Sequence, residues 1–569
     1  MASSPAEVVL GRSAAGDVAL IDLDAAGMPV STVAVDIDAL PDVIAARESA
    51  GDVRWIWSDT PTWYTRLLSA GVRVRRAWDL RLVHAILRDA ASVQDDQGLR
   101  GETSWDAAAT ALDDLDTLFA FGDSVGPPEG ADEALAEYRR QRATIAIART
   151  AGSLRLLAVA ESAGALTGVE LHAAGLPWSV EAHAHLLEDQ LGPRTAGGLP
   201  ARIEDAAAAV RSALDDPGAS LDSQPKLLRA LHRAGILVES TSQWDLGRHD
   251  HPAVAPLLAY KKLMRLYTAN GWAWMDEWVR DGRFRPVYVP AGVVTGRWAS
   301  SGGGALQIPR RLRTAVRADP GWTLVTADVA QLEPRVLAAM ARDTALAAAA
   351  SGRDLYAGVV DSGAVATRAE AKMAMLGAMY GATTGESGRL VPRLRRAFPR
   401  AMGLVDDAAR IGEDGGRVST WLGRTSPAPG DAWRALQSRA SGAEASGGDE
   451  TNARRAARDR GRFTRNFVVQ GTAAEWALAW LADLRTRLST LAAVEAPDAA
   501  PRSGPAFARS PHLAFFLHDE IIVHTPIVHA DAVADAVRTS AASAGRLLFG
   551  EFPIDFPLDL KIGPTAEKE

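Results

Sequence analysis

The 569-residue chain contains no cysteine. That excludes a disulfide framework, a thiolate zinc site and a cysteine nucleophile, so any metal must sit on carboxylates or histidines. No uninterrupted apolar stretch reaches membrane-spanning length, and the opening Met1-Ala2-Ser3-Ser4-Pro5 lacks the basic patch and apolar run of a signal peptide. A cytoplasmic protein with no membrane partner is expected. Net positive charge is missing as well: the formal value is -8, which taken alone speaks against nucleic acid, because phosphate binding rests on Lys and Arg. No internal repeat is visible. What the chain does have is 47% hydrophobic residues, enough for several cores and, by ordinary domain size, about three or four units.

The average charge hides two unlike halves. Residues 1–250 carry 37 acidic and 22 basic side chains, whereas residues 251–569 carry 33 acidic and 40 basic. Within the basic half arginines cluster at Arg310, Arg311, Arg313 and Arg317, between Arg389 and Arg400, and from Arg454 through Arg455, Arg458, Arg460 and Arg462 to Arg465. One such cluster reads equally as a solvated surface in a chain that prefers Arg to Lys. Three in one half point to an anionic polymer.

The first 150 or so residues alternate short apolar runs, Val18-Ala19-Leu20-Ile21 and Val33-Ala34-Val35, with a helical stretch from Trp63 to Leu87, the pattern of a small α/β domain. From Thr144 to about Trp278 the periodicity is almost wholly helical, with a long amphipathic segment from Val254 to Trp278. Beyond Phe284 the signals mix. Strands are expected at Val287–Val289, Trp322–Ala327 and Leu513–Phe516, and helices at about Gln331–Ala341 and Thr367–Tyr380. Ser438–Glu450 and Pro497–Pro511, rich in Ala, Gly, Ser and Pro, read as loops or disordered insertions.

Two carboxylates sit where strands end. Asp328 closes Thr323-Leu324-Val325-Thr326-Ala327 before a helix carrying Gln331, Glu333 and Arg335. Asp519 lies in His518-Asp519-Glu520 between the apolar runs Ala514–Leu517 and Ile521–Val523. A strand end aims a side chain rigidly, and two such carboxylates can bridge a pair of Mg²⁺ ions roughly 4 Å apart. By itself the tripeptide also reads as a simple turn with a surface histidine. The helix opening at Thr367 has a capping box with Glu370 and sets Arg368, Lys372 and Leu376 along one face, with Tyr380 a turn further on. Two cations there suit a triphosphate and the ring offers a base a stacking surface, although an isolated helix of this kind is equally an ordinary amphipathic one. Arg297 in Thr295-Gly296-Arg297-Trp298-Ala299-Ser300-Ser301, together with Asn466 and Gln470 on one helical face, supplies donors for the minor groove, where every base pair shows the same acceptors. Gln470 reads equally as a packing amide.

In chain order, TGRWASS, VTADVAQLEPRVLAAM, RAEAKMAMLGAMYG, STWLGR, NFVVQGTAAE and FLHDEIIV resemble the motif set of family A DNA polymerases, over residues 295–523. Leu221–Trp278, including Ala259-Tyr260-Lys261-Lys262-Leu263, is similar to the family's thumb. The resemblance implies an α+β multidomain chain: an α/β 3′-5′ exonuclease-like domain over 1–150, then a right-hand polymerase domain over 151–569. Its thumb would be about 151–290, its palm about 291–345 and 465–569, and its fingers about 346–464. It implies a DNA-directed DNA polymerase, working as a monomer on primer-template DNA and dNTPs with two Mg²⁺ ions, in repair or replication. Asp328 and Asp519 would be the metal ligands, with the Val329 carbonyl helping and Glu520 nearby. Arg368 and Lys372 would hold the triphosphate, Lys372 also protonating pyrophosphate; Gln331 and Leu376 would border the nucleotide, and Tyr380 would stack near the templating position. Arg297, Asn466, Gln470, His518 and Arg335 would contact DNA, and Glu333 would exclude a ribose 2′-hydroxyl.

The chain departs from the family at Val329, where a Tyr is usual, at Leu376, where a ring is usual, at Pro334 and at Phe516, which puts sugar selectivity in question. In the N-terminal domain only Asp36-Ile37-Asp38 stands in for the exonuclease DxE motif, with Asp79 as a second element and Arg142 where Tyr138 should be followed by an Asp. That domain is expected to be inactive and structural, and the length leaves no room for the family's 5′ nuclease. A single-subunit RNA polymerase is disfavoured by Glu333 and Glu520. A phosphohydrolase has no candidate for positioning water, and a DNA-binding relic of a polymerase remains open through the four departures.

Overall fold

The computed structural model describes residues 6–93, 97–108, 110, 126–195, 197–301, 303–304, 308–352, 354–381, 385–442 and 444–567. They form two compact units, one from the described parts of Met1–Gly175, Val287–Ser301 and Asp319–Pro564, the other from Leu176–Pro286, Gly302–Ala318 and Thr565–Glu569.

The first unit begins with a five-stranded sheet of β1 (Ala6–Arg12), β2 (Val18–Leu23), β3 (Pro29–Val35), β4 (Val53–Trp57) and β5 (Arg76–Asp79), in the order β3-β2-β1-β4-β5. β1 is antiparallel to β2 and parallel to β4, and β4 is parallel to β5. The central strands are apolar runs rather than alternating ones because both faces are covered. Val9, Ile21, Ile56 and Trp78 bury one face, and Val8, Leu10, Trp55 and Trp57 the other. β3, at the edge, starts on Pro29 and is exposed almost throughout. The expected helix from Trp63 to Leu87 is interrupted. The helix Thr60–Ser69 ends before Gly71, whose φ of 80° a side chain would strain, and β5 intervenes before the helix Leu80–Asp89.

The exonuclease-like candidates also separate. Asp36 and Asp38 form an exposed turn, with Asp36 accepting from the Asp38 amide at 2.8 Å and Asp38 paired with Arg66 at 2.9 Å. Asp79 is buried as a helix cap, accepting from Leu82 N at 2.9 Å and from Thr60 N and Oγ1 at 2.8 and 2.7 Å. Arg142 pairs with Glu7 at 2.9 Å.

The helix Ala151–Ala174 was expected to open the helical arm. It is apolar on most sides and packs against the five-stranded sheet's helices and β5, so it belongs to the first unit. The arm proper is the second unit. Its helices are Val180–Leu191, Ala201–Ala213, Gln224–Arg233, Gln243–Leu246, Val254–Asn270 and Trp272–Trp278, and Gly271 breaks the segment expected to be continuous from Val254 to Trp278. The strands β6 (Leu176–Pro177), β7 (Val279–Arg280) and β8 (Arg283–Phe284) close its base, where Trp178, His183, Trp274 and Phe284 pack ring against ring. None of the helices among the described residues is long and apolar enough to cross a membrane.

The rest of the first unit is built on the short pair β9 (Val287–Val289) and β10 (Ala299–Ser301) and on an antiparallel sheet of β11 (Trp322–Val329), β12 (His512–Leu517), β13 (Glu520–Pro526) and β14 (Leu558–Gly563), ordered β12-β13-β11-β14. β11 is central and reads Trp-Thr-Leu-Val-Thr-Ala-Asp-Val, buried but for the part-exposed Thr326 and Asp328. The 42-residue helix Gly447–Leu488 and the helix Ala530–Phe549 pack together beside this sheet. The expected insertion at Ser438–Glu450 is mostly helix: one helix runs to Ala440, and Ser446 opens the next with a capping box to Asp449. Pro497–Pro511 is compact rather than disordered. Its Asp498 carbonyl accepts from Trp322 Nε1 at 2.8 Å, and Phe507 is buried in the core of the five-stranded sheet.

Candidate active site

Register places the acidic groups. On β11, Asp328 stands opposite Glu520 of β13 and Asp559 of β14. The two-residue turn joining β12 to β13 is His518-Asp519, with His518 left-handed at φ 56°. The Asp519 carbonyl accepts from the Val329 amide at 2.9 Å, which ties the turn to the end of β11 and brings Asp519 beside Asp328. Burial first, and then the Asp328 charge, push the Asp519 carboxyl up to about 7, against the pull of Arg297. His518 is pushed down to about 4 by burial and by Arg297, so at neutral pH it is an uncharged hydrogen-bonding ring. Glu520 is buried at the start of β13.

A cleft of about 290 Å³ opens at this turn. Arg297, Gln331, Glu333, Leu376 and Tyr380 line it with His518 and Asp519, so the structure gathers side chains from four separated stretches of sequence. The loop carrying Arg297 is set by Gly296, at φ 86°, where an added Cβ would lie 2.6 Å from Arg424 Nε. Arg297 forms an ion pair with Glu333, whose other oxygen accepts from the Tyr380 hydroxyl at 2.6 Å. Burial and this bond raise the Tyr380 phenol. Glu333 thus joins the helices Leu332–Met340 and Arg368–Tyr380. Pro334, one residue further, falls in the first turn of its helix, where a missing N–H costs nothing. Gln331 is left-handed at the helix entry, and its Oε1 accepts from Leu355 N at 3.2 Å.

Thr367 and Glu370 form the expected capping box, and Gly381 ends that helix at φ 74°. Arg368 is paired with Asp354 at 2.6 Å and stacks 5.6 Å from the Tyr356 ring, while Lys372 is exposed. Neither lines the cleft. Asn466 and Gln470 are half-buried on the long helix one turn apart, and Gln470 Oε1 accepts from Thr295 Oγ1 at 2.9 Å. Val329 is buried. Arg335 overturns its expected role in DNA contact: it is fully buried and donates to the carbonyls of Ala330, Ala350, Gly352 and Asp555 at 2.6–3.0 Å. It is a brace beneath the site, its guanidinium satisfied by four backbone oxygens.

Several contributors had no role assigned from sequence. Tyr356 lines the cleft from a helix whose cap, Asp354, was visible in Asp354-Leu355-Tyr356 as an Asp before an apolar run. Trp298 and Phe516 form a wall with ring centroids 4.9 Å apart, and the Phe516 amide donates to the Tyr288 hydroxyl at 3.2 Å. Arg424 of STWLGR is held by buried Glu161 from the helix Ala151–Ala174. No local pattern links residues so far apart in sequence. Among the described residues no group of three or more His, Asp or Glu is arranged to hold a metal ion, so the acidic pair would have to draw on backbone or ligand oxygens for further donors.

The sequence model of DNA polymerase family A matches residues 232–567, more than half of the chain. DNA polymerase I of Chloroflexus aurantiacus is 29% identical over 346 residues, 56% of this chain and 32% of that protein. The thermostable DNA polymerase I of Thermus thermophilus is 26% identical over 572 residues, covering 88% of this chain and 61% of the relative. The chain thus spans between a third and three fifths of the length of these curated relatives. The POL domain of Pol1 from M. smegmatis, solved in complex with DNA primer-template and dNTP, shares the fold at a TM-score of 0.67 and 18% identity, covering 99% of this chain and 96% of that one.

Proposed function

The chain belongs to DNA polymerase family A, and on that premise we propose that it is a DNA-directed DNA polymerase, adding dNTPs to a primer 3′-hydroxyl as a cytoplasmic monomer in repair or replication. The observation that carries this reading is the like-charged pair Asp328 and Asp519, kept together at a cleft lined by Arg297, Glu333, Tyr380 and His518.

Family A polymerases depend on divalent metal ions. The donors present fit Mg²⁺: two carboxylates are hard oxygen ligands, the Val329 carbonyl would add a third, and the Asp519 carboxyl, raised first by burial and then by the Asp328 charge, would be drawn back to its ionised form by a cation. Two such ions, when bound, supply activation of an attacking hydroxyl and stabilisation of a leaving phosphate. Glu520, cross-strand from Asp328, adds negative charge behind the pair.

The remaining side chains position. His518, uncharged, offers the primer terminus a hydrogen bond without competing for its phosphate. Arg297, oriented by Glu333, reaches the same end, while Asn466 and Gln470 read minor-groove acceptors. Lys372, exposed, meets the triphosphate and gives a proton to the departing pyrophosphate; Arg368 exchanges Asp354 for a phosphate oxygen. The Glu333–Tyr380 bond closes the space a ribose 2′-hydroxyl would need, Leu376 and Gln331 border the sugar, and Tyr380 presents its ring to the templating base.

Extension of a labelled primer with Mg²⁺ and either dNTPs or rNTPs tests this, comparing wild type with Asp519→Ala. dNTP extension lost in the variant is the expected result. Extension by rNTPs at a similar rate removes the sugar-gating role of Glu333, and no extension by wild type leaves a DNA-binding relic.

A further inference from the structure

The helix Ala151–Ala174 packs with the five-stranded sheet, yet one of its faces reaches the loop that carries Arg297. Glu161, Gly164 and Gly168, spaced i, i+3 and i+7, share that face. A Cβ at Gly164 would lie 3.4 Å from the Trp298 ring and one at Gly168 3.8 Å from the same ring, so the helix backbone runs against the residue that follows Arg297.

Glu161 acts on the residue that precedes it. The carboxylate is fully buried and forms an ion pair with Arg424. Arg424 packs in turn on Gly296: its Nε lies 2.6 Å from where a Cβ would stand and has no hydrogen-bond partner among the described residues. Gly296 is left-handed at φ 86°, and the guanidinium fills the space against it. Glu475, another acid whose charge reaches Arg424, already accepts from Thr420 and Leu422. The guanidinium therefore takes its place from Glu161. Elsewhere the loop is tied by its own bonds, Thr295 Oγ1 donating to Gln470 Oε1 at 2.9 Å and Val293 N to the Arg297 carbonyl at 3.0 Å. Burial raises the Glu161 carboxyl against the pull of Arg424. A buried ion pair is a costly way to hold two elements together where apolar packing would serve, and its return is a fixed geometry.

On the polymerase reading proposed above, we infer that Glu161 is a positioning residue: through Arg424 it sets the turn at Gly296, and with it the reach of Arg297 to the primer terminus. A helix packed on the N-terminal sheet, a domain expected from sequence to be structural, thereby governs how the primer end is held. Steady-state primer extension by the full chain, comparing Glu161→Gln, Arg297→Ala and the double variant, tests it. Glu161→Gln keeps the shape and removes the charge, and should lower kcat/KM for primer-template roughly tenfold per folded molecule. In the Arg297→Ala background the same change should have no further effect, whereas two residues that support the fold independently multiply their losses. Arg424→Met removes the guanidinium instead of its partner, should reproduce both results, and replaces Glu161→Gln if that variant does not fold. Full activity of Glu161→Gln, or losses that multiply with Arg297→Ala, overturns the role of Glu161 while leaving the polymerase reading intact. No extension by wild type overturns both.

Discussion

The five-stranded and four-stranded sheets of the first unit bury acidic side chains in opposite ways. In the five-stranded part, Glu170 lies between Arg485 at 2.7 Å and Arg73 at 3.0 Å with the Tyr64 hydroxyl donating at 2.5 Å, and these cations pull its carboxyl down to about 2 against burial. Asp79 is pushed up to about 6, chiefly by burial and next by Asp59, yet it caps a helix and accepts from Thr60 twice. In the turn beside the end of β11, Asp519 is also pushed up, to about 7, by burial first and then by Asp328, and the cation that opposes the rise, Arg297, is already paired with Glu333. A raised carboxyl is therefore not what separates structure from function. Asp79's repulsion is offset by donors that build a helix, whereas Asp519 is raised beside a second carboxylate at the mouth of a cleft, which is the pattern expected where a ligand completes the site.

Mutation can break that contrast. Removing either member of the like-charged pair, by Asp328→Ala or Asp519→Ala, should cut primer extension by roughly 10³-fold or more while leaving the melting temperature in EDTA no lower than wild type, since a repulsion is lost. A clear fall in melting temperature would place Asp519 with Asp79 instead. The structural pair should behave in reverse. Arg485→Met leaves Glu170 with Arg73 as its one remaining ion-pair partner among the described residues and should cost about 3 kcal/mol in urea unfolding, with extension per folded molecule preserved; a loss of activity without loss of stability would contradict the assignment. Between these extremes lies Glu333, which has both kinds of partner. Glu333→Ala should lower discrimination against rNTPs by roughly 10- to 100-fold, measured as a ratio of kcat/KM values, and unchanged discrimination would make Glu333 a mere tether for Arg297.

The same contrast explains what could be read from sequence. The strand-end placement of Asp328 and Asp519 was legible because apolar runs mark the strands beside them, and the Thr367–Glu370 box because capping is local. Arg335 was misread: periodicity gives the face of a helix but not how deep that face lies, and its carbonyl partners come from as far as Asp555. Pro497–Pro511 is a loop, as one of its two readings had it, but an ordered one, since small residues give no sign that Phe507 finds a core made by residues several hundred positions earlier. The strand Arg76–Asp79 was lost inside a run of helical periodicity because four residues carry too little pattern to outweigh it. Glu161, Glu170 and Arg485 were invisible, as ion pairs across such separations leave no spacing to detect.

Glu475 tests the contrast most finely, because it belongs to NFVVQGTAAE but touches no part of the cleft. It is buried on the long helix and accepts from Thr420 Oγ1 and, at 2.9 Å, from Leu422 N. Burial pushes its carboxyl up to about 7 from 4.5, with Glu161 adding to the rise and Arg424 opposing it. Between those two values the folded protein keeps a proton that the unfolded chain has released. The group's contribution is thus fully present below about pH 4.5 and lost as pH rises through 7. Glu475→Gln keeps the shape and the acceptor while removing the titration. Its stability in urea should match wild type near pH 4.5 and exceed it by about 3 kcal/mol at pH 8, with primer extension unaffected. A gap that shrinks as pH rises would mean that Arg424 holds the ionised carboxylate, and Glu475 would then join Glu170 among the acids secured by arginine rather than by a proton.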